Sequence, residues 1–318
     1  MTGYAFRRIL VVFPVLWAVA TITFLLMHAI PGGPFTQDKD IPEAIQQNLN
    51  QRYGLDKSLP EQYGLYLWNI SHGDLGFSIQ YDRDVTDVLS DSFFVTVQFG
   101  VMAILLALVV GLTLGTLSAL NHNGPLDYLG VAFATLGASV PHFILATFLS
   151  IIFAVNLGWL KIVGWGGPPQ PELFFDSAYW DWRKVIIPVI ALAGLPAAYI
   201  ARVTRAAMLE VLNQDYIRTA RAKGLSETRV VFRHTVKNAL IPVLTVVGPL
   251  SAALLTGSFI LESMFLIPGV GRLFIDSIGR RDYSLIMGVT LLYTVIIIMA
   301  NLVVDLMYAV VDPRIRYR

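Results

Sequence analysis

Asp215-Tyr216-Ile217-Arg218-Thr219-Ala220-Arg221-Ala222-Lys223-Gly224-Leu225 runs into Ser226 to Lys237 and then into Asn238-Ala239-Leu240-Ile241-Pro242, with a long apolar segment on either side. Arg218, Arg221, Lys223, Arg229, Arg233 and Lys237 make this stretch a dense run of positive charge. A short basic loop between two apolar spans is expected on the cytoplasmic side of a membrane. Helix-favouring residues run from Tyr216 to Lys223, and Gly224 is placed to stop them. Ser226 then caps a second short helix that carries Arg229 to Lys237. Two short helices joined at a glycine form a compact knob facing the cytoplasm.

Outward from this loop the chain reads as membrane. Of 318 residues, 55% are hydrophobic and 14% charged. Soluble chains carry about 25% charged residues, so the shortfall and the long apolar runs define an integral membrane protein. The net charge of +1 says nothing about partners, because the charges are segregated along the chain. The absence of cysteine excludes disulfides, thiol catalysis and cysteine metal sites.

Hydropathy places six spans with both ends in the cytoplasm. Ile9 to Ile30 is apolar apart from Thr21, Thr23 and His28. It ends in Pro31-Gly32-Gly33-Pro34 rather than in small residues, and at about twenty residues it reads as a retained helix rather than a cleaved signal. Arg7 and Arg8 hold its start inside. The second span is Phe93 to Leu120, in which Gly111 and Gly115 have a close-packing spacing. After the tight inner turn Asn121-His122-Asn123-Gly124-Pro125 comes the third, Tyr128 to Leu157, interrupted at Pro141-His142. Residues 158 to 183 lie outside, with Trp159, Trp165, Trp180 and Trp182 suited to the interface. The fourth span is Lys184 to Met208, bent at Pro188 and Pro196. The fifth is Asn238 to Leu261, Met264 to Tyr283 is outside again, and the sixth is Ser284 to Val311. The organisation is therefore 1–30 for the N-terminus and first helix, 31–92 for an extracytoplasmic loop, 93–311 for a five-helix core with its loop at 210–237, and 312–318 for a cytoplasmic tail.

Residues 31 to 92 are more acidic than basic, as an outer loop after an N-in helix should be. Ile41 to Tyr53 and Pro60 to Ser71 read as short amphipathic helices opened near proline. His72-Gly73-Asp74-Leu75-Gly76-Phe77-Ser78 is a glycine-punctuated turn. An ordered outer loop and a docking surface are both compatible with this stretch.

Several chemistries are missing. No Gly-x-x-x-x-Gly-Lys-Ser/Thr run is present to cradle ATP phosphates, and no His-Glu-x-x-His run to hold zinc. The basic loop is too small for nucleic-acid binding, and positive-inside bias accounts for its sign. Within the spans, Asp305 reads as the only carboxylate lying deep, with Asn301 one turn before it. Gln98 and His142 are the other candidates. An ionisable group in a membrane is a functional candidate, but Asp305 also lies near the inner headgroups, where a structural role serves. His142 either lines a pathway or hydrogen-bonds carbonyls freed by the break. One carboxylate is poor provision for ion coupling, and no polar pore ring is visible. A self-sufficient secondary transporter or channel would also leave the basic loop without a role.

The basic loop resembles the "EAA" loop of the membrane subunits of ATP-binding-cassette importers. Gly224 matches that pattern's glycine and Ala220 its second alanine. Arg218 stands where the family has Glu and Thr219 where it has the first Ala. Ile241-Pro242 stands for Leu-Pro, several residues further on. These departures resemble the peptide-importing branch. The resemblance extends over nearly the whole chain, through Arg7-Arg8, Pro31-Gly32-Gly33-Pro34-Phe35, the Gly-Asp-Leu-Gly turn, Glu262-Ser263-Met264-Phe265-Leu266-Ile267-Pro268-Gly269-Val270-Gly271, Arg281-Asp282-Tyr283 and Asp312-Pro313-Arg314-Ile315. Together these are similar to the B-type permease subunit of an oligopeptide or dipeptide importer. Phe35-Thr36 and Ile41-Pro42-Glu43 favour the oligopeptide form, while nickel, glutathione and sugar-oligomer importers share most of the motifs.

The resemblance implies an all-α polytopic protein with the type I importer transmembrane fold and a long outer loop after helix 1. It implies that Asp215, Tyr216, Ile217, Arg218, Thr219, Ala220, Arg221, Ala222, Lys223 and Gly224 couple to an ATPase, and leaves His142, Asn301 and Asp305 as possible pathway residues. The implied partners are a homologous C-type permease, two ATPase subunits, an extracytoplasmic solute-binding protein, peptide and lipid. The chain itself would do no covalent chemistry and bind no cofactor; ATP and magnesium would belong to the ATPases. The location is the cytoplasmic (inner) membrane of a bacterium or archaeon.

Overall fold

The computed structural model describes residues 2–30, 56–168, 170–171 and 176–311, and its apolar runs are helices. The helix expected over Ile41 to Tyr53 and the tail 312–318 lie outside the described residues. The first helix, α1, spans Thr2–Ala29 and carries Pro14 within it. α2 is Leu59–Ser71, opened by Ser58 and Pro60, with the Glu61 carboxylate accepting the Ser58 N–H at 3.1 Å. It lies against the later part of α1, where Tyr63 and Thr21 share a 2.7 Å hydrogen bond and Gln62 meets His28 at 3.0 Å.

A two-stranded antiparallel hairpin follows, β1 Phe77–Ser78 and β2 Arg83–Asp84. It leads directly into α3, Val85–Leu120, which begins eight residues earlier than hydropathy places the second span. Asp87 and Asp91 make this start look like loop. Val85, Val88 and Leu89, at helical spacing, nevertheless bury against Leu273, Leu285 and Val289. At 1.5 Å per residue α3 is ~54 Å long, so part of it stands outside a ~30 Å hydrocarbon core.

The third span is broken. α4, Pro125–Ser139, and α5, His142–Leu149, continued by a π-helical stretch Ser150–Asn156, meet at an angle of 108°. α6, Trp182–Leu212, absorbs Pro188 and Pro196 without breaking. α7 is Asp215–Ala222, and the short α8 is Glu227–Arg229.

The separate second helix expected after Ser226 is not what forms. α8 passes without interruption through a π-helical stretch, Val230–Val236, into α9, Lys237–Leu255. Charge makes residues 229–237 look like loop, but Val230, Val231 and Thr235 are buried. The Thr235 hydroxyl donates to the Val230 carbonyl at 3.2 Å, which serves the widened turn. α9 ends short of the predicted Leu261. After Thr256-Gly257 come α10, Phe259–Met264, and α11, Val270–Arg280, before the last span α12, Tyr283–Val311. Among the described residues, five helical segments are long and apolar enough to cross a membrane, or six with the bent pair counted as one.

Close backbone contact organises the core. A Cβ on Gly111 would lie 2.7 Å from the Ile200 side chain, and one on Gly115 would lie 2.6 Å from the Ala201 carbonyl oxygen. The glycine spacing read from the second span thus lets α3 press onto α6. Lipid is as apolar as leucine, so such packing, not the hydrophobic effect, holds helices together here. α1 runs antiparallel to α12: Val11, Val12 and Val15 share a groove with Ile298, Asn301 and Leu302, while His28 faces the Tyr283 ring at 6.0 Å. Asp282 accepts the Ser78 hydroxyl at 2.6 Å and the Leu285 N–H at 3.2 Å, which ties the hairpin to the start of α12.

Gly115→Leu should force α3 away from α6 and lower the thermal midpoint of the detergent-solubilised protein, at a cost of about 1–3 kcal/mol. Leu117→Ala, on an exposed site of the same helix, should leave the midpoint nearly unchanged.

Candidate functional site

The basic loop is built as a helix with one face committed to the chain itself. Asp215 lies in the first turn of α7 and Arg221 in the last, both signs favourable to the helix dipole. Ile217 is fully buried and Ala220 nearly so, packed with Val230 and flanked by Val211 and Leu225. Asp215, Tyr216, Arg218, Thr219, Arg221, Ala222 and Lys223 are all exposed. Gly224 has φ of +78°, donates its N–H to Arg221 O at 2.9 Å and turns the chain away. A Cβ there would meet no atom within 4 Å, so only the left-handed backbone demands glycine.

Across that turn the Arg221 guanidinium holds both oxygens of Glu227, at 3.1 and 2.7 Å. This pairing keeps Arg221 above its ordinary pKa. Asn238 donates to the Tyr216 hydroxyl at 3.0 Å, linking α7 to the start of α9.

α7 follows directly from the end of α6, where a second cluster lies. Asp127, nearly fully buried at the start of α4, accepts both Arg205 Nε at 2.6 Å and an Arg205 terminal nitrogen at 2.7 Å. It also accepts from Ser118 and from the Asn123 N–H, and His122 approaches at 3.3 Å. The clamp binds the α3–α4 turn to α6. The sequence does not single out this pair, because 78 residues separate the partners.

At the other end of the molecule lies a second enclosed carboxylate, Glu262. It is fully buried. It accepts the N–H groups of Gly271 at 2.8 Å, Arg272 at 3.2 Å and Ser258 at 3.3 Å, and faces the Thr96 hydroxyl at 3.4 Å. The carboxylate thus caps the N-terminus of α11 and holds it to α3 and α10. A side chain on Gly257 or Gly269 would strike it.

Of the possible pathway residues, His142 and Asn301 have different surroundings. His142 Nε2 lies 3.3 Å from the Ser258 hydroxyl. Asn301 lines the groove against α1, exposed. Asp305 lies on α12, but its side chain is outside the described residues. Gln98 is engaged structurally, donating to Pro168 O at 3.1 Å and accepting from Trp165 Nε1 at 3.0 Å. Among the described residues no group of three or more His, Asp or Glu side chains is placed to hold a metal.

The arrangement is that of a membrane protein of several spans with a basic helix clipped onto the end of one of them. The chain belongs to the binding-protein-dependent transport system inner membrane component family, whose model matches residues 111–317, with the N-terminal model of the same system matching residues 1–100. It is 41% identical over its whole length to the oligopeptide transport system permease protein OppB of Haemophilus influenzae, all of which is covered. It is 44% identical over 99% of its length to the dipeptide transport system permease protein DppB of Bacillus subtilis, covering 98% of that protein. Among solved structures, a chain of the inward-facing MetNI methionine ABC transporter superposes with a TM-score of 0.55 at 18% identity, over 71% of this chain and 97% of the other. An amino acid ABC transporter gives 0.53 at 17% identity, over 70% and 93%. The fold is the type I importer transmembrane fold.

Asp127→Ala leaves a part-buried guanidinium without its partner and should destabilise the subunit by about 1–3 kcal/mol. Arg205→Ala added to it should cost little more. The measurement is a double-mutant cycle on the thermal midpoint, in which additive losses would show that the clamp is not a unit.

Proposed function

We propose that this chain forms half of the translocation pathway of an ATP-driven peptide importer, with oligopeptides the expected cargo and α7 as the element that receives the force. The similarity to permeases named for oligopeptide and dipeptide transport supports the substrate class. A homologous C-type permease supplies the other half of the pathway. Two ATPase subunits bind ATP and magnesium below, and a solute-binding protein delivers peptide from outside. Both termini and residues 210–237 face the cytoplasm, in keeping with the basic residues there.

One observation carries the coupling reading. α7 buries Ile217 and Ala220 against its own subunit and offers the rest of its surface outward. A push on the outer face is transmitted through the buried face to α6 and to the α8–α9 helix. Transport then follows from differential contacts in inward-open and outward-open states. His142, Asn301 and Asp305 remain the proposed pathway positions, in which no covalent step is required.

Gly224→Val should cost roughly 1–2 kcal/mol locally through its left-handed backbone and misplace α7 without removing a span. The assembled transporter should reach the membrane in normal amount, lose peptide uptake and lose the ATPase response to peptide-loaded binding protein. Gly224→Asn, which tolerates that backbone region, should retain a substantial part of both. Equal and normal uptake in the two variants would defeat the coupling assignment.

A further inference from the structure

The height of α2 relative to the membrane is set by its contacts with α1. Val11–Ala29 of α1 is long and apolar enough to cross a bilayer. Near its end stands His28, whose ring faces Tyr283, the first residue of the last span, at 6.0 Å. Gln62 of α2 meets His28 at 3.0 Å, and Tyr63 shares a 2.7 Å hydrogen bond with Thr21. Thr21 lies about two turns, ~10 Å, deeper along α1 than His28. Phe24, between the two and nearly fully buried, stands 5.3 Å from the Tyr63 ring and 5.6 Å from the Tyr66 ring. α2 therefore lies across the last turns of a spanning helix, not beyond its end.

The opposite face of α1 shows what surrounds the protein at that level. Ile22, Leu25 and Leu26 are each 57% exposed. They stand at the height of Thr21, Phe24 and His28, within the apolar run that crosses the membrane, where large exposed side chains meet hydrocarbon. α2 shares that level.

The outward face of α2 suits the same surroundings. Gln62, Tyr63 and Tyr66 turn to α1, and about half a turn away Gly64, Leu65 and Trp68 are exposed, with Leu59 exposed at the start. A surface helix bathed in water carries charge on that face. α2 carries leucine and tryptophan there. Its one charged side chain, Glu61, sits in the first turn, folded back onto the Ser58 N–H at 3.1 Å and hydroxyl at 3.0 Å. At 13 residues α2 is ~20 Å long, too short to cross a ~30 Å core. A helix of this kind lies in the plane of the interface, where tryptophan and tyrosine are favoured.

Backbone at this depth needs its polar groups satisfied by the protein, and the end of α2 meets that demand. The Trp68 carbonyl accepts the Ser71 hydroxyl at 2.6 Å and lies 2.8 Å from His72 Nδ1. The Asn69 carbonyl accepts the His72 and Asp74 N–H groups, each at 3.0 Å, and the Ile70 carbonyl accepts that of Gly73 at 3.1 Å.

We propose that α2 is an interfacial helix, sunk by Leu65 and Trp68 into the leaflet that surrounds the end of α1, and that the bilayer surface is its partner. In the orientation proposed above this is the outer leaflet. α2 contains no Lys or Arg, so the attachment is to the boundary between headgroups and acyl chains and needs no anionic lipid. Part of the long segment after the first span thus belongs to the membrane and not to an aqueous loop. The proposal requires only that α1 crosses the membrane and is independent of the cargo.

Spin labels test it, since the chain has no cysteine of its own. Leu65→Cys and Trp68→Cys are labelled one at a time in the assembled transporter in proteoliposomes of neutral lipid. Leu25→Cys, on the exposed face of α1, and Asp91→Cys, exposed at the start of α3, are the references. Collision of each label with oxygen, which concentrates in lipid, is compared with collision with a water-soluble nickel chelate. The oxygen-to-nickel ratio at Leu65 and Trp68 should be close to that at Leu25 and several-fold above that at Asp91. Should Trp68 be needed for assembly, Gly64→Cys carries the same readout, because a Cβ there meets no atom within 4 Å. Nickel reaching Leu65 and Trp68 as freely as Asp91 would put this face in water and overturn the proposal. Exclusion of both reagents would put another protein over it, with the same consequence.

Discussion

The seam between α3 and α6 is the contact on which the rest depends. In lipid, two helices gain nothing by hiding leucines from their surroundings, so close approach has to come from small residues. Gly111 and Gly115 set the backbones of α3 and α6 in direct contact. The same approach lets Arg205 on α6 reach Asp127 beyond the end of α3. Met208 on α6 then packs with Ala119 and Val231, and the base for α7 is complete.

Polar clamps then fix both ends of that block. At the end bearing the basic loop, Asp127 gathers Arg205, Ser118 and the Asn123 amide. At the other, Glu262 gathers the first amides of α11, and Asp282 gathers the β-hairpin and the start of α12. Each carboxylate is enclosed, and each is met by several donors. A buried carboxylate short of partners would instead be strongly destabilising.

Hydropathy and turn chemistry showed the spans, the break at Pro141, the short helix before Gly224 and the close-packing glycines, because each is a local property of the chain. Two of the boundaries that differ from the sequence reading do so for one reason. Asp87 and Asp91 disguised the start of α3, and Arg229, Arg233 and Lys237 disguised the run from α8 into α9. In both cases apolar residues at helical spacing, Val85, Val88 and Leu89 or Val230 and Val231, bury one face while the charges occupy the other. The carboxylate clamps were illegible because their partners are remote: Thr96 lies 166 residues from Glu262, and Ser78 lies 204 from Asp282. Glu262 was visible only as part of a family motif, and nothing in its neighbours shows that it caps a helix.

The central claim is that α7 keeps one face for its own subunit and gives the other to an ATPase. Single cysteines carrying a benzophenone photoprobe at Arg218, Thr219 and Val101, each in the assembled transporter, test it directly. Arg218 and Thr219 are exposed on α7, and Val101 is exposed on the spanning part of α3. The account predicts photo-cross-links to an ATPase subunit from Arg218→Cys and Thr219→Cys and none from Val101→Cys. A transporter that retains its ATPase subunits and its uptake but yields no ATPase cross-link from either α7 position would contradict it.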